Sequence, residues 1–228
     1  MFSFIIPTLN ESSTIADTLN VLLNVIDRDC EIIVVDGKSE DNTVEIVNSF
    51  SNVTLIKNCK RGRAVQMNRG AAEAKNEYLF FLHADTTVDS IGYAKLVNEV
   101  SKNNLKWGWF SIKLNSPRFI FRILETLASY RTKIAHEPLG DHGIFVKKEL
   151  FQKIGGYPEI PIMEDIELVK KLKNISRGKR IDHYVLTSVR RFERGGIFTT
   201  VFNISMIRIA YYFGKSPDTL SSWYLNHR

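Results

Sequence analysis

The first hundred residues alternate short, continuous apolar runs with stretches of helical spacing, and no other feature narrows the fold as much. The runs at residues 2–6, 31–35, 53–56 and 78–82 are apolar without alternation, as strands covered on both faces must be. Residues 15–26 place Ile15, Leu19, Leu22, Leu23 and Ile26 on one helical face, and Ser12 or Ser13 is expected to cap that helix. Further helices are expected over 42–50, with Asp41 as cap, and over 64–74 and 90–100. Pro7 is expected to stop the first strand, because proline cannot donate to a ladder. Strands alternating with helices call for an α/β fold: a mostly parallel, Rossmann-like wound sheet with helices on both faces and right-handed crossovers. Ligands of such sheets bind beyond the carboxyl ends of the strands, so the residues just after each strand should line a site.

The second half is less regular. Residues 107–114 read as a strand, and 117–134 as a helix with Phe121, Leu124, Leu127 and Ala128 on one face. A short strand over 144–146 leads into a helix that ends at Gly155-Gly156. A helix over 165–172, an extended segment over 181–189, a basic turn at 190–195 and a long apolar helix over 197–213 complete the chain. A length of 228 residues suits one domain with a small C-terminal extension. The net charge of +6 favours anionic partners such as nucleotides or an anionic membrane surface. No dense Lys/Arg block of the nucleic-acid type is present. Cys30 and Cys59, neither in a CxxC pair, read as free thiols of a reducing compartment. The N-terminus has no signal-peptide pattern, and no apolar run reaches the roughly 18 residues that span a bilayer. A cytoplasmic protein is expected.

Polar groups converge at one sheet edge. Pro7-Thr8-Leu9-Asn10-Glu11 follows the first strand, Asp36 the second, Lys60-Arg61-Gly62-Arg63 the third and His83-Ala84-Asp85 the fourth. Each alone has a plain structural explanation, such as a capped turn or a terminated strand. An acid, a basic loop and a second acid at one edge are a less common combination.

These segments resemble family 2 glycosyltransferases, the large inverting group with the GT-A fold. The resemblance begins at Ile5-Ile6-Pro7-Thr8-Leu9-Asn10-Glu11 and continues in Ile33-Val34-Val35-Asp36-Gly37-Lys38-Ser39. Residues 62–71 and Phe81-Leu82-His83-Ala84-Asp85-Thr86 are similar to a compact bacterial subfamily. The resemblance runs to about Gly195 and implies a GT-A domain over 1–195, with a nucleotide-sugar half (1–105), an acceptor half (106–195) and a helical extension (196–228). It implies a sugar transferred with inversion from a nucleotide-diphosphate donor, a UDP-sugar first, to an acceptor hydroxyl of unknown identity.

The same resemblance implies roles for individual residues. Asp36 would accept from the base, with Pro7, Thr8, Asn10 and Glu11 around base and ribose, and Arg61 and Arg63 on the diphosphate. His83 and Ala84 would line the donor site. Asp85 would hold Mg²⁺ or Mn²⁺; relatives usually carry Asp-x-Asp here, and His83 replaces the first acid. Hard cations often take one or two carboxylates plus substrate phosphates, so a lone Asp85 completed by the donor is the expected site. In Glu164-Asp165 the family pattern makes Asp165 the base; Arg191 would face the leaving diphosphate, and Asp141 and His142 the acceptor. Read without the family, acids at a helix start also serve as caps, and Gln66 and Asn68 fit a surface or a supporting position equally. A peripheral contact with the inner face of the cytoplasmic membrane and a homodimer are both open to the C-terminal helix. Two other readings of the chain are a nucleotide-binding module without catalysis and a nucleotidyltransferase, although the latter usually wants a glycine-rich loop after the first strand.

Overall fold

A computed structural model describes the backbone of residues 1–226 and the side chains through Trp223. The first half runs β1 (Phe2–Thr8), α1 (Ile15–Val25), β2 (Glu31–Asp36), α2 (Thr43–Asn48), β3 (Val53–Ile56), α3 (Arg63–Glu73), β4 (Tyr78–Phe81), β5 (Thr86–Thr87) and α4 (Ser90–Asn103). The second runs β6 (Trp107–Leu114), α5 (Phe119–Ala135), a 3-10 turn (Gly140–His142), β7 (Ile144–Lys147), α6 (Lys148–Lys153), α7 (Glu164–Lys173) and β8 (Lys179–Thr187). Three helices close the chain: α8 (Arg190–Gly195), α9 (Ile197–Tyr212) and α10 (Pro217–Asn226).

One sheet runs through the molecule in the order β3-β2-β1-β4-β7-β6-β8-β5. The β3-β2-β1-β4 half is parallel, as the βαβ alternation requires, and β7 then enters antiparallel beside β4. Alternate residues of each strand feed opposite layers. Phe2, Phe4, Ile6, Ile32, Val34, Phe80 and Leu82 meet α1, α2 and α4 on one face. Ile5, Ile33, Val35, Leu79 and Phe81 meet α3, α6 and α7 on the other. Cys30 packs in the first layer and Cys59 in the second, so the sheet separates these free thiols.

Several local expectations need correction. The first strand does not stop at Pro7 but continues to Thr8, with Pro7 paired to Val35. Its pairing with β4 ends at Ile5, so the missing N–H interrupts no paired ladder position on that side. Neither Ser12 nor Ser13 caps α1; Thr14 is the N-cap, and the Ser12 amide instead donates to Asp41. Leu127 is not on the packed face of α5 but 60% exposed. The basic turn at 190–195 is the short helix α8. The two-residue strand β5 was too short to show as a pattern, and α10 extends the C-terminal helical region beyond α9. Ile207 of α9 and Leu220 of α10 pack on Ile162, Met163 and Ile166, fastening this region to the start of α7. Among the described residues, no helix is long and apolar enough to cross a membrane.

Candidate active site

The strand ends and the start of α7 meet at one edge of the sheet. Asp36, at the end of β2, is buried. Its Oδ2 accepts from the amides of Lys38 and Ser39 at 2.9 and 3.0 Å, while Oδ1 has, among the described residues, only the hydroxyl of buried Thr8 at 3.5 Å. Gln66 lies inward on α3: its Nε2 donates to the carbonyls of Thr8 and Val35 at 2.8 and 2.7 Å, fastening β1 to β2 just before the site. Asn68 faces inward as well and exchanges two hydrogen bonds with the backbone of Tyr157.

The loop after β1 is held from three sides. Asn10 adopts a left-handed conformation (φ 56°), its amide donating to Ser39 and its Oδ1 accepting from Glu40. The amide of Glu11 donates to Thr43, and its carboxylate is paired with Arg190 of α8, which also donates to Ser13 at 2.7 Å. Arg190 therefore joins the first loop to the segment after the last long strand, a role that the sequence did not mark. Arg191 is exposed on the same helix.

His83, Asp85, Asp141 and Asp165 form the centre. The amide of Gly140 donates to Asp165 Oδ2 at 2.7 Å, and the amide of Ile166 donates to Oδ1 at 2.8 Å, so both carboxylate oxygens are oriented by backbone. A Cβ added at Gly140 would lie 3.1 Å from His83 Nε2 and 3.5 Å from Asp165 Oδ2. The bare backbone of Gly140 is thus what separates the two side chains. Burial and the nearby charge of Arg63 depress the pKa of His83 against the pull of Asp85, Asp141 and Asp165, which leaves the ring neutral near pH 7. Burial works against the charge on Asp141, but His142, whose Nδ1 donates to it at 2.7 Å, together with His83 and Arg131 holds its pKa well below the ordinary value. Arg131, in the last turns of α5, faces Asp141 and Asp165 electrostatically and carried no sequence signal.

Two basic-loop residues are engaged within the protein. Arg61 pairs with Glu40 at 2.6 Å, out on the surface. Arg63 Nε pairs with Glu164 at 2.9 Å. Glu164 is 2% exposed and its Oε2 has no hydrogen-bond partner among the described residues. Burial, opposed by Arg63 and reinforced by Asp165, raises its pKa. Met163, just before, holds φ 69°, a conformation that costs a bulky residue energy. That left-handed residue sets the entry of α7 and so aims Glu164 inward and Asp165 toward Gly140.

Asp85 stands beside β5, with Thr86 Oγ1 3.4 Å from its Oδ1, and the Ala84 carbonyl before it accepts from Thr18 at 2.8 Å. Among the described residues, no group of three or more His, Cys, Asp or Glu side chains could hold a metal ion. Asp85 with neutral His83 nearby still fits Mg²⁺ or Mn²⁺, which take few protein carboxylates where substrate phosphates complete the shell.

The family model described as "Glycosyl transferase family 2" matches residues 3–147. The chain is 34% identical over 105 residues to a poly-beta-1,6-N-acetyl-D-glucosamine synthase of Staphylococcus epidermidis, a match that covers 44% of this chain and 26% of that protein. The chain thus spans about a quarter of that relative's length. It is 26% identical over 219 residues to a PGL/p-HBAD biosynthesis glycosyltransferase of Mycobacterium bovis, covering 91% of this chain and 83% of the relative. Among solved structures, S. aureus TarS in complex with UDP-GlcNAc superposes with a TM-score of 0.66 at 20% identity, over 82% of this chain and 58% of that one. The mannosyltransferase PcManGT from Pyrobaculum calidifontis, in complex with GDP-Man and Mn²⁺, superposes with a TM-score of 0.63 at 20% identity, over 97% of this chain and 67% of that one. At these identities the structures share the fold.

Proposed function

The chain belongs to glycosyl transferase family 2, and from that premise we propose that it moves a sugar from a UDP-sugar to an acceptor hydroxyl with inversion, with Asp165 as base. The observation that carries this reading is the meeting of an oriented Asp165 with His83 across Gly140, in the electrostatic company of Asp85 and Asp141. Asp165 accepts the proton of the acceptor hydroxyl as that oxygen bonds to the anomeric carbon. The bond from the anomeric carbon to the diphosphate oxygen breaks on the opposite side, and the nucleoside diphosphate leaves with the electron pair. A single displacement of this kind inverts the centre.

The other residues take supporting parts. Asp36 Oδ1, with only a long contact to Thr8, is left to accept from the N–H edge of uracil, and a carboxylate suits that edge because it only accepts. Pro7, Thr8, Asn10 and Glu11 shape the base and ribose end, with Glu11 kept in place by Arg190. Arg63 and Arg191 face the diphosphate in this reading, where guanidinium groups stabilise developing negative charge. Asp85, with His83 and Ala84 beside it, would hold Mg²⁺ or Mn²⁺ together with the donor diphosphate, and the cation would supply further charge stabilisation to the leaving group. The Mn²⁺ in the similar mannosyltransferase structure supports this assignment. Asp141 and His142 lie on the acceptor side. Residues 1–105 form the donor half and 106–195 the acceptor half of one catalytic domain, with 196–228 as its extension.

The test is release of nucleoside diphosphate from UDP-, GDP- and dTDP-sugars with Mn²⁺ present. Turnover of a UDP-sugar is expected, and Asp165→Asn should lower it by at least ~10²-fold, the lower end of general-base contributions, while calorimetry still finds UDP bound. Silence across all donors, or an Asp165→Asn variant as active as the parent, would overturn the reading.

A further inference from the structure

Two neighbouring helices carry large apolar side chains on their outer faces. On α5 these are Phe119, Ile123, Leu127, Tyr130 and Ile134, from 42 to 78% exposed. On α9 they are Phe198, Phe202, Met206, Ile209 and Phe213, from 45 to 86% exposed, the last of them the C-cap. Both rows advance by four, four, three and four residues, which keeps them on a single helical face. Leu124 of α5 and Ile197 of α9 pack against one cluster of Leu114, Phe121 and Val189 at one end, and Tyr212 donates to Glu137, just past α5, at 2.8 Å at the other. The two starts and the two ends thus lie near each other, so the helices run the same way, each row opposite its packed residues Phe121 and Thr132 or Thr200 and Ile207. An exposed apolar surface of this extent marks an interaction site.

Charge selects the partner. Residues 118–135 and 190–215 hold nine Lys and Arg against two Asp and Glu, an excess of seven where the whole chain has six. The rest of the molecule is thus close to neutral, and α9 itself contains no acid. Exposed cations bracket both rows: Arg118 and Lys133 on α5, Arg194 and Lys215 around α9. Beside α5 a cavity of about 420 Å³ is lined by Lys113, Arg122, Lys133 and Arg180, with Glu125 as its one acid. Apolar rows between cations match an interface of acyl chains and anionic headgroups, whereas an acidic protein surface would leave the rows uncovered.

We infer that the paired outer faces of α5 and α9 dock on an anionic lipid bilayer, with the phenylalanines in the acyl boundary and the flanking cations among the headgroups. This docking does not depend on the proposed reaction. It is tested by flotation of the full chain with vesicles of phosphatidylcholine alone and of phosphatidylcholine mixed with phosphatidylglycerol, at low and high salt. Binding to the mixed vesicles, weakened by salt, is expected. Phe198→Ser/Phe202→Ser and Ile123→Ser/Leu127→Ser should each cut the bound fraction at least ~10-fold, because both rows contribute buried apolar area. Lys133→Glu should weaken binding to mixed vesicles alone. Circular dichroism melts of the variants should match the parent, since the side chains replaced are exposed. No flotation with mixed vesicles, binding indifferent to the serine variants, or a dimer in sedimentation that those variants dissociate would each overturn the inference; the last would mean that a second copy covers the face.

Discussion

Glu164 is a carboxylate that burial disfavours and Arg63 only partly compensates. Its folded pKa lies above the ordinary 4.5, so between those values the folded state holds a proton that the unfolded state has lost. Stability from this group is therefore lost as pH rises through that window. Glu164→Gln cannot titrate, so its melting temperature should gain on that of the parent as pH climbs above 4.5. A constant difference across that range would refute the assignment. Asp36 and Asp85 were legible as turn positions after apolar runs, whereas Asp141, Glu164 and Asp165 came only through the family resemblance. Their partners were not. The Gly140 amide on Asp165, the Arg190 tie to Glu11 and the approach of Arg131 to Asp141 depend on how distant segments meet, and no local pattern encodes that. The family resemblance put Arg63 on the diphosphate, and nothing in the local sequence marked its pairing with Glu164.

At the scale of elements, α3 lies tight on the sheet. A Cβ on Gly70 would come within 2.6 Å of Ile5 Cγ2 and 3.1 Å of Val35 Cγ2, both on fully paired buried strands. Alanine would gain about 1 kcal/mol of helix propensity there. Forcing a methyl into a filled core costs about 1–3 kcal/mol, so the clash outweighs the gain. Gly70→Ala should lower the urea midpoint of unfolding; a rise would show that α3 can shift outward freely. The strands of the first half were readable to within a residue or two, since both-face burial writes continuous apolar runs. The irregular second half was less so. Strand β5 has only two residues, and Leu127 belongs to the outer row of α5 rather than its core face. Apolar spacing reports that a helix face is hydrophobic, not which surroundings cover it.

At the scale of the molecule, residues 1–105 and 106–195 contribute strands to one sheet. β7, from the second half, pairs with β4 of the first, and β8 pairs with β5. Residues 1–105 and 106–228 produced as separate polypeptides would each leave a hydrophobic strand edge open, β4 in one and β7 in the other. Each should be insoluble alone, and the two should co-purify as a single species by gel filtration when made together. A soluble, folded fragment 1–105 on its own would contradict this. The same strand order has a consequence for synthesis on the ribosome. The edge of β4, complete at Phe81, must wait for Ile144 to emerge before its neighbour exists. At translation rates of about 5–20 residues per second that delay is roughly 3–13 s, long compared with strand pairing in small domains. The growing chain therefore passes through an interval in which a finished parallel sheet is held open on one side, exposed to wrong pairing.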